Sequence, residues 1–110
     1  MNEAAPEFGL APTTVARLRE VLTRHPQVQR AVLYGSRAKG CQRAGSDIDL
    51  AIEGDELTLI DILRIDGELD DLMLPYRIDL ANLAAIDNQA LREHIRRVGV
   101  VFYPNDTLRQ

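Results

Sequence analysis

The chain has 110 residues, 45% apolar and 27% charged, which is ordinary globular composition and one domain by size. Its 17 Asp+Glu against 13 Lys+Arg give a formal net charge of -4, and an acidic chain is a poor candidate for sequence-independent nucleic-acid binding. The single cysteine, Cys41, excludes an intramolecular disulfide, and His25 and His94 lie too far apart for a structural zinc spacing.

Residues 1–11 contain Pro6 and Gly9 and show no period, so they read as a loose arm. Pro12 and the Thr13-Thr14 pair open a helix. Val15, Leu18, Val21 and Leu22 give it one apolar face, and Pro26 stops it. A strand follows over 28–34 and ends in a buried run from Ala31 to Tyr34. Gly35-Ser36 breaks it. Residues 37–46 are polar, basic and glycine-bearing, a loop with room for one helical turn. Residues 47–53 alternate: Ile48, Leu50 and Ile52 point one way, and Asp47, Asp49 and Ala51 the other.

The next helix spans 58–72, with Leu59, Ile62, Ile65, Leu69 and Leu72 as its buried stripe. Gly67 inside it costs about 1 kcal/mol relative to alanine. Pro75 closes the segment. Residues 77–83 form a third alternating strand, with Asp79 between Ile78 and Leu80. Asn88 caps a last helix whose apolar face is Leu91, Ile95 and Val98, and Gly99 ends it. His94 on that helix reads as surface or half-buried. A short strand over 100–103 and a tail over 104–110 complete the chain.

This order predicts an α/β or α+β fold: a small mixed sheet of about four strands with flanking helices, in a single domain over 1–110. A core of this size leaves no room for a separate substrate domain. Its cleft is therefore open, or takes its second wall from a partner. No apolar run approaches the roughly 18 residues of a membrane span. The N-terminus lacks the basic start and apolar stretch of a secretory signal. The expectation is a cytoplasmic protein.

Four features point to a site. Gly35-Ser36 follows an apolar strand directly; glycine lets a backbone approach a phosphate, and the serine hydroxyl can donate to its oxygens. Asp47-x-Asp49 puts two carboxylates on one strand face, where they repel unless a cation lies between them. Oxygen ligands of that kind suit Mg²⁺ or Mn²⁺. Asp79 stands on a separate strand. Arg37, Lys39 and Arg43 form a basic loop between the serine and the aspartates. Singly, each is an ordinary turn or solvated face. Gly-Ser, ten residues, then Asp-x-Asp arises by chance in about one in a thousand chains of this length.

Competing motifs fail. Gly35 and Gly40 have P-loop spacing, but Cys41 and Gln42 stand where lysine and serine or threonine are required. A calcium loop starting at Asp47 would need glycine where Ile52 stands and glutamate where Thr58 stands. No histidine accompanies Ser36 in a hydrolase signature.

Gly35-Ser36, Asp47-Ile48-Asp49 and the third aspartate in Arg77-Ile78-Asp79-Leu80 resemble the polymerase-β-type nucleotidyltransferase superfamily. The shortness of the chain resembles its minimal nucleotidyltransferase (MNT) branch, and the likeness runs over roughly 12–103. The resemblance implies a nucleotidyltransferase-like core in which Asp47 and Asp49 would hold two Mg²⁺ ions. Asp79 would complete the metal site and help activate the attacking hydroxyl. Gly35 and Ser36 would hold the triphosphate, with Arg37 beside them in the nucleotide-binding set. The reaction would move AMP from ATP to a hydroxyl. Proteins of this branch are often antitoxins, paired with a helical HEPN-type toxin that is encoded next door and adenylylated on tyrosine. The resemblance also leaves room for a non-catalytic antitoxin that neutralises its partner by stoichiometric complex formation.

Overall fold

A computed structural model describes residues 7–104. Residues 1–6 of the expected arm and 105–110 of the expected tail lie outside the described residues. Among the described residues four helices and four strands follow one another as α1 (Pro12–Thr23), β1 (Arg30–Tyr34), α2 (Ser36–Lys39), β2 (Ile48–Glu53), α3 (Leu59–Asp70), β3 (Ile78–Asn82), α4 (Gln89–Val98) and β4 (Val100–Tyr103). A 3₁₀ turn, Leu83–Ala85, lies between β3 and α4.

The strands form one mixed sheet in the order β3-β2-β1-β4. β1 runs antiparallel to both β2 and β4, and β2 runs parallel to β3. The expected fold class and strand number hold. The parallel pair follows from its connection, because α3 supplies the long crossover that parallel neighbours need.

Local signals explain the boundaries. Proline begins α1. Thr58 and Asp61 cap α3 reciprocally, each side chain accepting the other's backbone N–H. Asn88 accepts the Leu91 N–H at the start of α4. The side chain of Asn82 accepts the Ala84 N–H and turns the end of β3 into the 3₁₀ turn. That turn was not legible in the apolar pattern. Gly67 does not interrupt α3.

The two sheet faces differ. Leu33, Ile48, Leu50, Ile52 and Phe102 meet α1 and α3 through Leu18, Val21, Leu22, Ile62, Ile65 and Leu69 in the main core. On the other face Val32, Tyr34 and Ala51 pack against Ile95 of α4 in a smaller cluster. Ala51 therefore lies on the same face as Asp49, as expected, yet is fully buried. α4 covers that end of the face and leaves the aspartate end open.

Two expectations need correction. The segment from residue 7 onward is docked rather than loose. Leu10 is buried, Phe8 packs on Phe102, and Glu7 and Leu10 exchange backbone hydrogen bonds. Leu59 is 70% exposed and does not belong to the buried stripe of α3. It lies in the first turn, beyond the part of the helix that meets the core at Ile62, Ile65 and Leu69.

Candidate functional site

Strand register builds the site. Tyr34 of β1 pairs with Asp49 of β2, and Asp49 pairs with Asp79 of β3. Directly paired residues project to the same face of a sheet. Tyr34, Asp49 and Asp79 therefore form a row across three adjacent strands. Asp47 lies two residues before Asp49, just ahead of β2, and is exposed. The Ile48 N–H bonded to the Arg77 carbonyl at 2.9 Å holds this end of β2 to the approach of β3.

The row is electrostatically strained. Burial, then Asp79, then Asp47 push the Asp49 carboxyl above its ordinary value, and His94 opposes them. Burial, then Asp79 and Asp49, push the Tyr34 phenol up to about 12. Its hydroxyl thus stays neutral at physiological pH beside the carboxylates.

Gly35 ends β1 against this row. Its φ is 78°, and a Cβ there would collide with the Asp49 carboxylate. Only glycine allows both the turn and the close approach. Ser36 follows at once, half-buried, as the first residue of α2. The Gly-Ser turn and the second aspartate of Asp-x-Asp, separated by twelve intervening residues, are thereby brought together.

Sequence reasoning passed over two neighbours of the site. The Gly35 N–H donates to Nε2 of His94 at 3.3 Å, and the His94 ring stands edge-on to Tyr34 with centroids 6.2 Å apart. His94 is half-buried, as its position suggested, but it faces the site. The signal was its place beside Ile95 on the side of α4 that meets the sheet. Tyr34 carried one too, since it alternates with Val32 onto the face that bears Asp49.

Arg37 is not gathered with the aspartates. It is 3% exposed. Its guanidinium donates to the Ser46 carbonyl at 2.8 and 3.1 Å and to the Phe8 carbonyl at 2.9 Å, and it stacks over Tyr76. Those bonds tie the 40–46 loop and the docked N-terminal segment together. The structure thus gives Arg37 a buried tie between two backbone segments, with three of its five N–H donors on carbonyls, rather than a place in the acidic row where the nucleotide-binding set was expected. Lys39 at the end of α2 and Arg43 in the 40–46 loop are exposed.

Among the described residues, no three His, Cys, Asp or Glu side chains form a group able to hold a metal ion by themselves. The donor set still fits a magnesium-like ion. Such ions are commonly held by one or two carboxylates plus substrate phosphates rather than by an all-protein cage. Asp49 with its in-register neighbour Asp79 and with nearby Asp47 is a set of that kind, and their mutual repulsion is what a cation relieves.

The family model described as polymerase beta, nucleotidyltransferase matches residues 16–108. No curated protein matches the chain. A solved structure designated a minimal nucleotidyltransferase is 28% identical with a TM-score of 0.65, covering 89% of this chain and 98% of its own. A toxin–antitoxin structure with AMP-PNP is 22% identical with a TM-score of 0.68, covering 84% of this chain and 75% of its own. A tri-AMPylated HEPN toxin of Shewanella oneidensis in complex with MNT antitoxin is 18% identical with a TM-score of 0.63, covering 86% and 73%. At such identities the last two show the fold alone.

Proposed function

Since the chain belongs to the polymerase beta nucleotidyltransferase family and carries its nucleotidyltransferase domain, we propose that it moves AMP from ATP to a hydroxyl of a helical HEPN-type partner and so acts as an antitoxin. The observation that carries the reading is the row Tyr34, Asp49, Asp79 with Gly35 closed against Asp49. It joins a phosphate-sized turn to paired carboxylates on one open face.

In this reading Gly35 and Ser36 receive the triphosphate, the glycine by giving it room and the serine by donating its hydroxyl. Asp47 and Asp49 are the metal ligands, and Asp79, one strand further out, completes the set. Two Mg²⁺ ions, or Mn²⁺, would supply charge neutralisation and in-line positioning when bound. Asp79 is exposed at the rim, where it can accept the proton of an incoming hydroxyl. His94 fixes the Gly35 turn by accepting the Gly35 backbone N–H at Nε2. The neutral Tyr34 hydroxyl adds no charge to a face already crowded with it. AMP-PNP in one related structure and an AMPylated HEPN toxin in another support the nucleotide and the acceptor class. A tyrosine of the partner is the proposed acceptor. The cytoplasm is the proposed compartment; no described helix is long and apolar enough to cross a membrane.

The test is co-expression with the neighbouring helical protein followed by intact mass analysis. Added adenylyl groups on the partner, lost with Asp47→Asn, are the expected result. An unmodified partner neutralised in a stable complex would replace this reading with the stoichiometric antitoxin.

A further inference from the structure

A groove of about 490 Å³ lies on the flank of α4 that faces away from His94, within the size range of ligand sites. None of Gly35, Ser36, Asp47, Asp49 or Asp79 lines it. Helical geometry separates the two places: Gln89, Arg92, Glu93 and Arg96 share one side of α4, and His94 projects from nearly the opposite side.

Val101, 39% exposed, gives the groove aliphatic surface above the buried Val32 and Ile95 at its floor, and Arg30, Arg92 and Arg96 line it too. Among the described residues Glu93 is the one acid in the lining and Glu53 pairs with Arg30 beside it, so on a chain of net charge -4 the groove keeps a modest positive excess, three arginines against two carboxylates. The arginines are held in place. Arg92 donates to the carbonyls of Leu83 and Ile86 at 3.3 and 3.1 Å, Arg30 donates to Glu53 at 2.6 Å, and Arg96 pairs with Glu93. A guanidinium has five N–H donors, so each keeps some to spare. Side chains already fixed lose less freedom on binding.

The character of the lining selects the ligand. Among the described residues no aromatic side chain lines the groove, so they offer no platform for a nucleobase to stack on. The groove lies over the sheet face that α4 partly covers, where Val32 of β1 pairs with Val101 of β4. Guanidiniums beside aliphatic surface match carboxylates alternating with apolar side chains.

We propose that this groove docks an extended acidic segment of a partner protein, its carboxylates on Arg30, Arg92 and Arg96 and an apolar side chain against Val32, Ile95 and Val101. The inference does not rest on the transfer activity. The probe is the capped peptide Asp-Leu-Glu-Val-Asp-Leu, titrated into the ¹⁵N-labelled full chain, with a version carrying lysine at each acidic position as control. Amide shifts at Val32, Ile95, Gly99 and Val101 are expected with the acidic peptide only. Binding should weaken at least tenfold in Arg96→Gln and again in Arg30→Gln, two variants that leave the Arg92 carbonyl bonds intact, at unchanged thermal stability. No shift at these amides, an equal response to the lysine peptide, or a response to oligothymidylate in place of the acidic peptide would overturn it.

Discussion

Nε2 of His94 accepts the backbone N–H of Gly35 at 3.3 Å, so the last helix of the chain holds the turn on which the candidate phosphate site is built. Gly35 in turn lies against the carboxylate of Asp49. Position is thus handed from α4 to the turn and from the turn to the acidic row.

Replacing that acceptor has two expected effects. His94→Ala leaves a partly buried N–H unpaired, which costs about 1–2 kcal/mol and lowers the melting temperature. It also loosens Gly35, so nucleotidyl transfer falls more than the loss of folded protein explains. His94→Gln, whose side-chain oxygen can accept the same N–H, should recover part of both. Thermal denaturation beside single-turnover transfer separates the two effects. An Ala variant with wild-type turnover would remove His94 from the site.

Asp49→Asn should be more stable than the wild type at neutral pH and far less active. Burial and the charges of Asp79 and Asp47 raise the Asp49 carboxyl above its ordinary value in the folded protein. A carboxyl with a raised folded value holds its proton more tightly folded than unfolded. Its ionisation therefore opposes folding: the penalty is absent below the unfolded value near pH 4, grows as pH rises towards the folded value, and is full above it. Asparagine removes it. The melting-temperature gain should be largest at pH 7 and vanish as the pH drops to about 4. Transfer should fall about 10²–10³-fold or more, the loss typical of one electrostatic contact at a reacting centre. A variant less stable than wild type at pH 7 would contradict the strained row.

Arg37→Ala separates structure from ligand binding. Removing a 3% exposed guanidinium leaves the Phe8 and Ser46 carbonyls without their donor and strips Tyr76 of its stacked cation. An unsatisfied buried acceptor costs about 1–3 kcal/mol. The melting temperature should fall accordingly, and Arg37→Lys should rescue little, because an ammonium cannot reproduce the planar fork. The KM for ATP of the folded fraction should stay near wild type. A raised KM at unchanged stability would return Arg37 to the nucleotide.

The sequence carried the helices and strands because their local chemistry agrees with their final setting: Pro12, Thr58 and Asn88 start the three long helices, and the alternation around Asp49 and Asp79 survives in the sheet. It carried Gly35, Asp49 and Asp79 as candidates because their residue types are unusual beside apolar strands. It did not carry the pairing of Tyr34 with Asp49, because register is a relation between strands and no single segment contains it. The burial of Arg37 was hidden for the same reason. A basic residue in a basic loop looks solvated until the N-terminal segment docks and offers it the Phe8 carbonyl. His94 escaped notice because its partner, the Gly35 N–H, lies 59 residues away.

ATP binding should require a divalent cation. Asp49 already ionises against the repulsion of Asp79 and Asp47, and a triphosphate brought to Gly35 adds further negative charge to the same face. The chain answers this with little of its own: Arg37 is committed to backbone carbonyls, and Lys39 at the end of α2 and Arg43 on the loop after it are exposed rather than bonded at the row. A cation held by one or two of these carboxylates and by phosphate oxygens turns both repulsions into attractions. Titration calorimetry with AMP-PNP should therefore show at least tenfold weaker binding in EDTA than in Mg²⁺, about 1.4 kcal/mol or more. In Asp47→Asn the dependence on Mg²⁺ should shrink, because a ligand is lost and a repulsion is relieved together. Equal affinity with and without the metal would mean that the nucleotide does not lie against the acidic row, and would overturn the assignment of Asp47 and Asp49 as ligands.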